Sequence, residues 1–306
     1  MKFVFLSGGT GTPKLMQGFR HILPDKKIGV LCNSGDDYVW NGLYICPDLD
    51  TVLYQFSGKL DTEKFWGVEG DTFESLKTLK SLSAEDTWFN VGDRDLGLHI
   101  YRSLKLRKES LTSVTKKICS KWGIEAQILP MSDNPIQSRI FSEDNNYHFQ
   151  EYFVKLQTNV NVTDVKFHGD SKETTEEVSN MLEVAKQIII GPSNPITSIG
   201  PILSIKKIYS LLEQHRDKVL VISPLKGSEA FSGPTVKLMK TMNIDSTPLG
   251  IANYYQKIAS KIIFDSEDIS FRDKIKDLNI EPIFHSIDLS TLDQKKKLST
   301  TIFDFI

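Results

Sequence analysis

The sequence predicts an α/β fold of the Rossmann-like kind: a mainly parallel sheet flanked by helices, with a mainly helical insertion at roughly 65–125. Three observations predict it. Near the start, an apolar run, an amphipathic stretch and a second apolar run make a strand–helix–strand unit. The same rhythm returns past residue 170. A glycine-rich turn closes the first run, at the place where open α/β sheets hold ligands. The 306 residues read as one unit of this type, long enough for a sizeable core.

The elements follow in order. "KFVFLS" is a short buried strand, and "KKIGVLCNSG" is a second. Between them "PKLMQGFRHIL" carries Leu15, Phe19, Ile22 and Leu23 on one helical stripe, so the two strands run parallel. Residues 65–111 are rich in charge and helix signals ("TFESLKTLKSL", "LGLHIYRSLKLRKESL"), and "SEDNNYHF" is a polar turn. Then come the helix "TTEEVSNMLEVAK", the strand and loop "QIIIGPSNP", the helix "SIKKIYSLLEQHR" and the strand "KVLVISP". Ile205, Ile208, Leu211 and Leu212 give that second helix its apolar face. Helices over "PTVKLMKTM" and "NYYQKIAS" precede the strands "KIIFD" and "EPIFHSI". Ser232, Gly233 and Pro234 read as the cap and start of the first of these helices. "DQKKKLS" reads as a solvated helix face.

Composition excludes several classes. A formal net charge of −2 lacks the basic excess of a broad nucleic-acid surface. Cys32, Cys46 and Cys119 are too scattered for a disulfide framework or a zinc site. No apolar run is long enough to span a bilayer, and that in "MKFVFLSGG" is too short for a signal-peptide core. These features suit a reducing, cytoplasmic setting with no membrane or nucleic-acid partner. A homodimer is the expectation for a soluble enzyme. The six histidines form no cluster by spacing, and His99 and His215 lie within helices.

"FLSGGTGTPKL" (residues 5–15) is built like a phosphate loop. It is not a Walker A loop, because Pro13 stands at the second glycine and Leu15 at the hydroxyl position. It is not a dinucleotide fingerprint either, because Lys14 replaces the third glycine, which disfavours an NAD-dependent oxidoreductase. Gly8, Gly9 and Gly11 let the backbone approach an anion, Thr10 and Thr12 add hydroxyls, and Lys14 adds charge. Pro13 suits the first helical position with Thr12 as its cap. The alternative is a tight strand-to-helix turn with no ligand.

Other loops join it: "NSGDD" (33–37), "CPDLDTVLYQFSG" (46–58), "TWFNVGDRDLGLHIYR" (87–102), "GPSNPITSIGPIL" (191–203) and "SPLKGSEAFSGPTVKLM" (223–239). In this order they resemble the 2-phospho-L-lactate transferase family of deazaflavin coenzyme F-420 biosynthesis, over nearly the whole chain. The resemblance implies that the 2-phospho-L-lactyl group moves from lactyl-2-diphospho-5′-guanosine to the terminal ribityl hydroxyl of the deazaflavin Fo. GMP leaves, and magnesium (Mg2+) is needed; other branches use a phosphoenolpyruvate-derived donor. A sister family of gluconeogenesis-factor-like proteins shares a glycine loop and an S-N-P-type loop. It offers the alternative of a non-catalytic nucleotide-sugar or dinucleotide-binding regulator.

The resemblance places the guanosine diphosphate part on residues 8–14 and on "GPSNP", where Ser193 and Asn194 offer polar groups between stiffening prolines. Lys226 and Gly227 are a further candidate contact to phosphate or base. Asp48 and Asp50 are candidate magnesium ligands, facing one side if the segment is extended. A helix start at Asp50-Thr51 is the alternative. The family match falls mainly on Asp50, as metal ligand, anchor of the attacking hydroxyl or its base; Asp36 and Asp37 are second candidates. Trp88 and Phe89 would face opposite ways in a strand. One of them, by preference Trp88, is expected to stack on the deazaflavin. Asp93 or Arg94 is a candidate acceptor contact, against the alternative of an ion pair at a helix start. Asp50→Asn is expected to abolish turnover and leave the fold intact.

Overall fold

The computed structural model describes residues 2–231 and 233–305; Ser232, read above as part of a helix cap, lies outside them. The chain opens with β1 (Phe3–Ser7), α1 (Gly11–Phe19) and β2 (Ile28–Cys32), then the hairpin β3 (Tyr38–Trp40) and β4 (Leu43–Ile45). α2 (Pro47–Phe56), α3 (Glu74–Ser81), α4 (Asp93–Leu106) and α5 (Leu111–Lys121) precede β5 (Gln127–Pro130). β6 (Gln137–Phe141), β7 (Asn146–His148) and β8 (Asp164–His168) make a small antiparallel sheet. Next come α6 (Glu176–Glu183), β9 (Gln187–Ile190), α7 (Gly200–Leu203), α8 (Lys206–Gln214) and β10 (Val219–Ile222). A short hairpin, β11 (Leu225–Lys226) and β12 (Glu229–Ala230), leads to α9 (Thr235–Thr241) and α10 (Pro248–Tyr255). β13 (Lys261–Phe264), α11 (Arg272–Lys276), β14 (Glu281–Phe284) and α12 (Leu292–Asp304) complete the order.

Seven strands form one parallel sheet, ordered β14-β13-β10-β9-β1-β2-β5. Its strands are continuous apolar runs because both faces are covered. Successive residues of β1 supply opposite layers. Val4 and Leu6 join the core under α6, α8 and α10, while Phe3 and Phe5 join the core under α1, α2, α5 and α12. A third cluster of Tyr38, Trp40, Ile45, Leu76 and Val91 sits between the β3–β4 hairpin and α3. Building outward from β1, chain order runs β2, β5 on one side and β9, β10, β13, β14 on the other. The order therefore reverses between β1 and β9, the crevice position of doubly wound sheets.

Several local expectations change. α1 starts at Gly11, so Thr12 and Pro13 lie inside its first turn, where a missing N–H costs nothing. Thr10 is the cap position. α2 starts at Pro47, the favoured first helical residue, so Asp50 is inside the helix rather than at its cap. The segment around Trp88 and Phe89 is a run of turns, not a strand. The turn "SEDNNYHF" ends in β7. The lysine-rich run of α12 is not wholly solvated: Lys295 is buried, and its ammonium donates to Gln17 Oε1 (2.8 Å).

Candidate active site

A cleft of about 440 Å³ opens at the carboxyl edge of the parallel sheet, over the crevice between β1 and β9, within the size range of small-molecule sites. Its floor is two loops pressed together. A Cβ on Gly11 would stand 2.0 Å from the Pro192 carbonyl oxygen, and one on Gly8 2.6 Å from that of Ser198. Only glycine allows these backbones to touch. Thr12 fastens the pair: its backbone N–H donates to Ser193 Oγ (3.3 Å), and the two hydroxyls are 2.9 Å apart. Asn194 Oδ1 accepts from the N–H groups of Ile196 (2.9 Å) and Thr197 (3.4 Å), which sets the "GPSNP" turn. Gly8, Gly9, Thr10, Gly11, Ser193 and Asn194 all line the cleft; Thr12 is buried behind it.

The carboxylates come from α2 and from the loop after β2. Two residues apart on a helix, Asp48 and Asp50 point about 200° apart, not to one side. Asp48 turns to the floor: Oδ1 accepts the Gly9 N–H (2.8 Å) and Oδ2 the Asn33 amide (2.8 Å). Burial raises its pKa to about 6 against the pull of those two bonds. Asp50 turns to α4, where Arg102, fully buried, grips both of its oxygens: Nη1 donates to Oδ2 (3.0 Å) and Nη2 to Oδ1. Burial opposes the Arg102 charge, but Asp50 outweighs it and holds the guanidinium charged. His99 stands between two acids, with Nδ1 3.6 Å from Asp50 Oδ2 and Nε2 3.2 Å from Asp95 Oδ1. Tyr54 donates its hydroxyl proton to Asp95 Oδ1 (2.5 Å). Burial would raise Asp95, but its bonds with His99 and Tyr54 leave it below the ordinary carboxylate range.

Asp36 and Asp37 complete a group of four buried acids beside one buried cation. Burial, reinforced by the neighbouring carboxylates, pushes both well above their usual range. Asp36 Oδ1 and both Asp37 oxygens have no hydrogen-bond partner among the described residues. Of these two residues Asp36 lines the cleft and Asp37 does not, so the hard, orphaned oxygen of Asp36 beside Asp48 is the one that fits a divalent cation there.

Aromatic groups form the walls. Phe89 lines the cleft, as do Phe149 and Phe153, whose rings stack 5.6 Å apart at 8°. Trp88 does not; it stacks on Tyr38 (5.9 Å), and its Nε1 donates to Asp86 (3.2 Å). Asp93 also lies outside the lining. Its carboxylate accepts from Thr72 Oγ1 (2.6 Å) and from the N–H groups of Glu74 and Ser75 (2.9 Å each), capping α3 from a distance. These bonds hold its pKa far below the ordinary range. Arg94 donates to the Glu69 carbonyl (3.0 Å) and is exposed. Lys226 pairs with Glu267 (2.7 Å), Gly227 N–H donates to Asp268 Oδ1 (3.0 Å), and neither lines the cleft. Lys14 lies 5.5 Å from the Phe65 ring centroid, also off the lining.

Sequence reasoning missed Asn33, Asp95, His99 and Arg102. A signal existed for three of them: Asp95, His99 and Arg102 recur at i, i+4 and i+7 in "DLGLHIYR", one polar stripe on a helix that otherwise alternates apolar residues.

The chain matches the family model described as 2-phospho-L-lactate transferase CofD over residues 3–303. It is 41% identical over 267 residues to the 2-phospho-L-lactate transferase of Methanosarcina acetivorans, covering 87% of this chain and 86% of that one. Against the protein of the same name from Methanococcus maripaludis strain C6 it is 35% identical over 311 residues, covering 100% and 99%. In fold it is similar to the crystal structure of a UPF0052 family member from Bacillus halodurans, with a TM-score of 0.64, 18% identity, and 99% and 98% of the two chains covered.

Proposed function

Because this chain belongs to the 2-phospho-L-lactate transferase family, we propose that its cleft moves the 2-phospho-L-lactyl group from lactyl-2-diphospho-5′-guanosine to Fo, in the cytoplasm and with magnesium. The observation that carries this reading is the meeting, in one cleft, of a double glycine-and-proline loop, a buried acid group and an aromatic wall. The donor's diphosphate is assigned to Gly8, Gly9, Thr10, Gly11, Ser193 and Asn194, near the amino end of α1, where free N–H groups and the helix dipole favour anions. The acceptor's planar ring is assigned to the wall that includes Phe89.

Phosphoryl-type transfer depends mainly on positioning and charge neutralisation. Asp50 is fixed by Arg102 and His99, yet it lines the cleft, and each carboxylate oxygen has a second lone pair. In the proposed reaction Asp50 orients the terminal ribityl hydroxyl through that lone pair. The hydroxyl oxygen forms a bond to the phosphorus that carries the lactyl group. The bridging P–O bond to the guanosine phosphate breaks, and GMP departs with the bond's electron pair. Asp50 is also the assigned acceptor of the hydroxyl proton. Asp36 and Asp48, which both line the cleft, would hold magnesium there, with Asp50 turned away toward Arg102, and the ion would neutralise charge on the donor's diphosphate.

The test is a mixture of the protein, Fo, magnesium and the guanosine donor, followed for GMP and for the phospholactylated deazaflavin in equal amounts. No GMP, together with tight binding of another nucleotide, would favour the regulator reading instead.

A further inference from the structure

Trp66 lines the cleft, yet 47% of its surface is exposed. No motif pointed to it. Its loop, residues 58–71, is firmly built. Leu60 and Val68 bridge across its base, and Glu69 N–H donates to the Lys59 carbonyl (2.9 Å). Asp61 Oδ1 accepts from the N–H groups of Glu63 and Lys64 (3.1 Å each), and Phe65 N–H donates to the Asp61 carbonyl (2.8 Å).

The residue before Trp66 is the anchor. Phe65 is buried although its φ is +61°, a conformation unfavourable for a bulky side chain. Two cations hold its ring: Lys295 at 4.3 Å and Lys14 at 5.5 Å from the centroid. Gly67, with φ +73°, turns the chain away at once and lines the cleft itself. Pinning Phe65 inward turns the next residue outward. Lys64 Nζ, tied to Asp61 Oδ2 (2.8 Å), stands 5.5 Å from the indole centroid. The indole is thus held in place from its own loop and remains bare toward the cleft. An exposed apolar ring forgoes burial energy, and strain at Phe65 adds to that cost. A rigid loop that presents such a ring at the rim of an aromatic-lined cleft has the form of half a stacking clamp.

We propose that Trp66 is a ligand-binding residue that stacks on a planar fused heteroaromatic ring in the cleft, either the donor's base or the acceptor's deazaflavin. The assignment of these two rings rests on the transferase reading above. Lys14 gives the anchor of this loop, Phe65, a direct contact with the glycine-loop helix.

The test is equilibrium titration of the wild type, Trp66→Ala and Trp66→Phe with GDP alone and with Fo alone, by calorimetry, beside steady-state GMP release. Stacking predicts that Trp66→Ala weakens one of the two ligands about 10- to 100-fold. Trp66→Phe should bind that ligand within about threefold of wild type. The ligand affected identifies the ring. KM for that substrate should rise by the same factor while kcat stays within about twofold, a split that a general loss of structure would not give. Unchanged Kd for both ligands in Trp66→Ala overturns the proposal. Wild type that binds both ligands with this Trp66 dependence but releases no GMP defeats the transferase reading and leaves the stacking role standing. Wild type that binds neither defeats both.

Discussion

At Asp50 the structure alters what a substitution does. Its partner Arg102 is fully buried, so Asp50→Asn leaves a buried guanidinium without its counter-charge, at a cost of roughly 3–5 kcal/mol. The variant should lose GMP release and unfold at lower urea, and Asp50→Asn/Arg102→Met should recover stability but not turnover. Full stability in the single variant would show the pair to be unimportant to the fold. Asp48 and His148 carry opposite pH signatures. Asp48 titrates near 6 in the fold against about 3.9 unfolded, so the native state holds the extra proton between those values. Stability from this group falls as pH rises through the window, by about 3 kcal/mol. Burial lowers His148 to about 4 from about 6.5 unfolded, so its contribution is lost as pH falls from 6.5 to 4, by about 3 kcal/mol. The two nearly cancel in the wild type. In metal-free urea titrations, Asp48→Asn relative to wild type should gain stability as pH rises from 4 to 7. His148→Phe should gain as pH falls over the same range. Parallel profiles for all three proteins would contradict both assignments. Neither shift was legible in the sequence, since both come from burial by elements remote in the chain.

At the level of the elements, the tightest constraint is the contact between the α1 loop and the "GPSNP" turn. Gly11→Ala must push the Pro192 carbonyl away, an overpacking expected to cost about 1–3 kcal/mol. It should lower the melting temperature and weaken GDP binding together; intact GDP affinity would mean that the two loops need not touch to hold the nucleotide. Asp93 belongs to α3 as much as to its own α4. Asp93→Ala should lower the melting temperature through the lost cap, and an unchanged KM for Fo would confine it to that role. Some of this was legible. Glycines at 8, 9 and 11 announced a close approach, and at 8 and 11 the partner is the backbone of another loop. Pro47 marked the start of α2 more reliably than Asp50 did. Asn41-Gly42, both at positive φ, was an overlooked two-residue hairpin signal. Trp88 and Phe89 misled because their spacing suits a strand, whereas Tyr38 and Trp88 pair through tertiary contact.

Across the whole molecule, the parallel sheet was legible because strands covered on both faces are continuous apolar runs. The third hydrophobic cluster was not, since Trp40 and Leu76 meet only after folding. Trp40→Ala, which empties that cluster and frees the Asp86 carbonyl it bonds at 2.7 Å, should cost about 3–5 kcal/mol. Hydrogen exchange should speed up in α3 and in residues 84–91, while β1, β9 and β10 stay protected. Uniform acceleration would show that the insertion and the sheet unfold as one. The reversal of strand order at β1 has a last consequence, for synthesis. Thr12 and Ser193, which lock the floor of the cleft, are 181 residues apart in the chain. α1 is braced later still, where Ser299 Oγ donates to the Leu15 carbonyl (3.3 Å). At about 5–20 residues per second, a ribosome exposes the glycine loop many seconds before either partner exists. The floor of the cleft therefore cannot close until residue 193 has been made, and the glycine loop spends that interval without the turn it packs against.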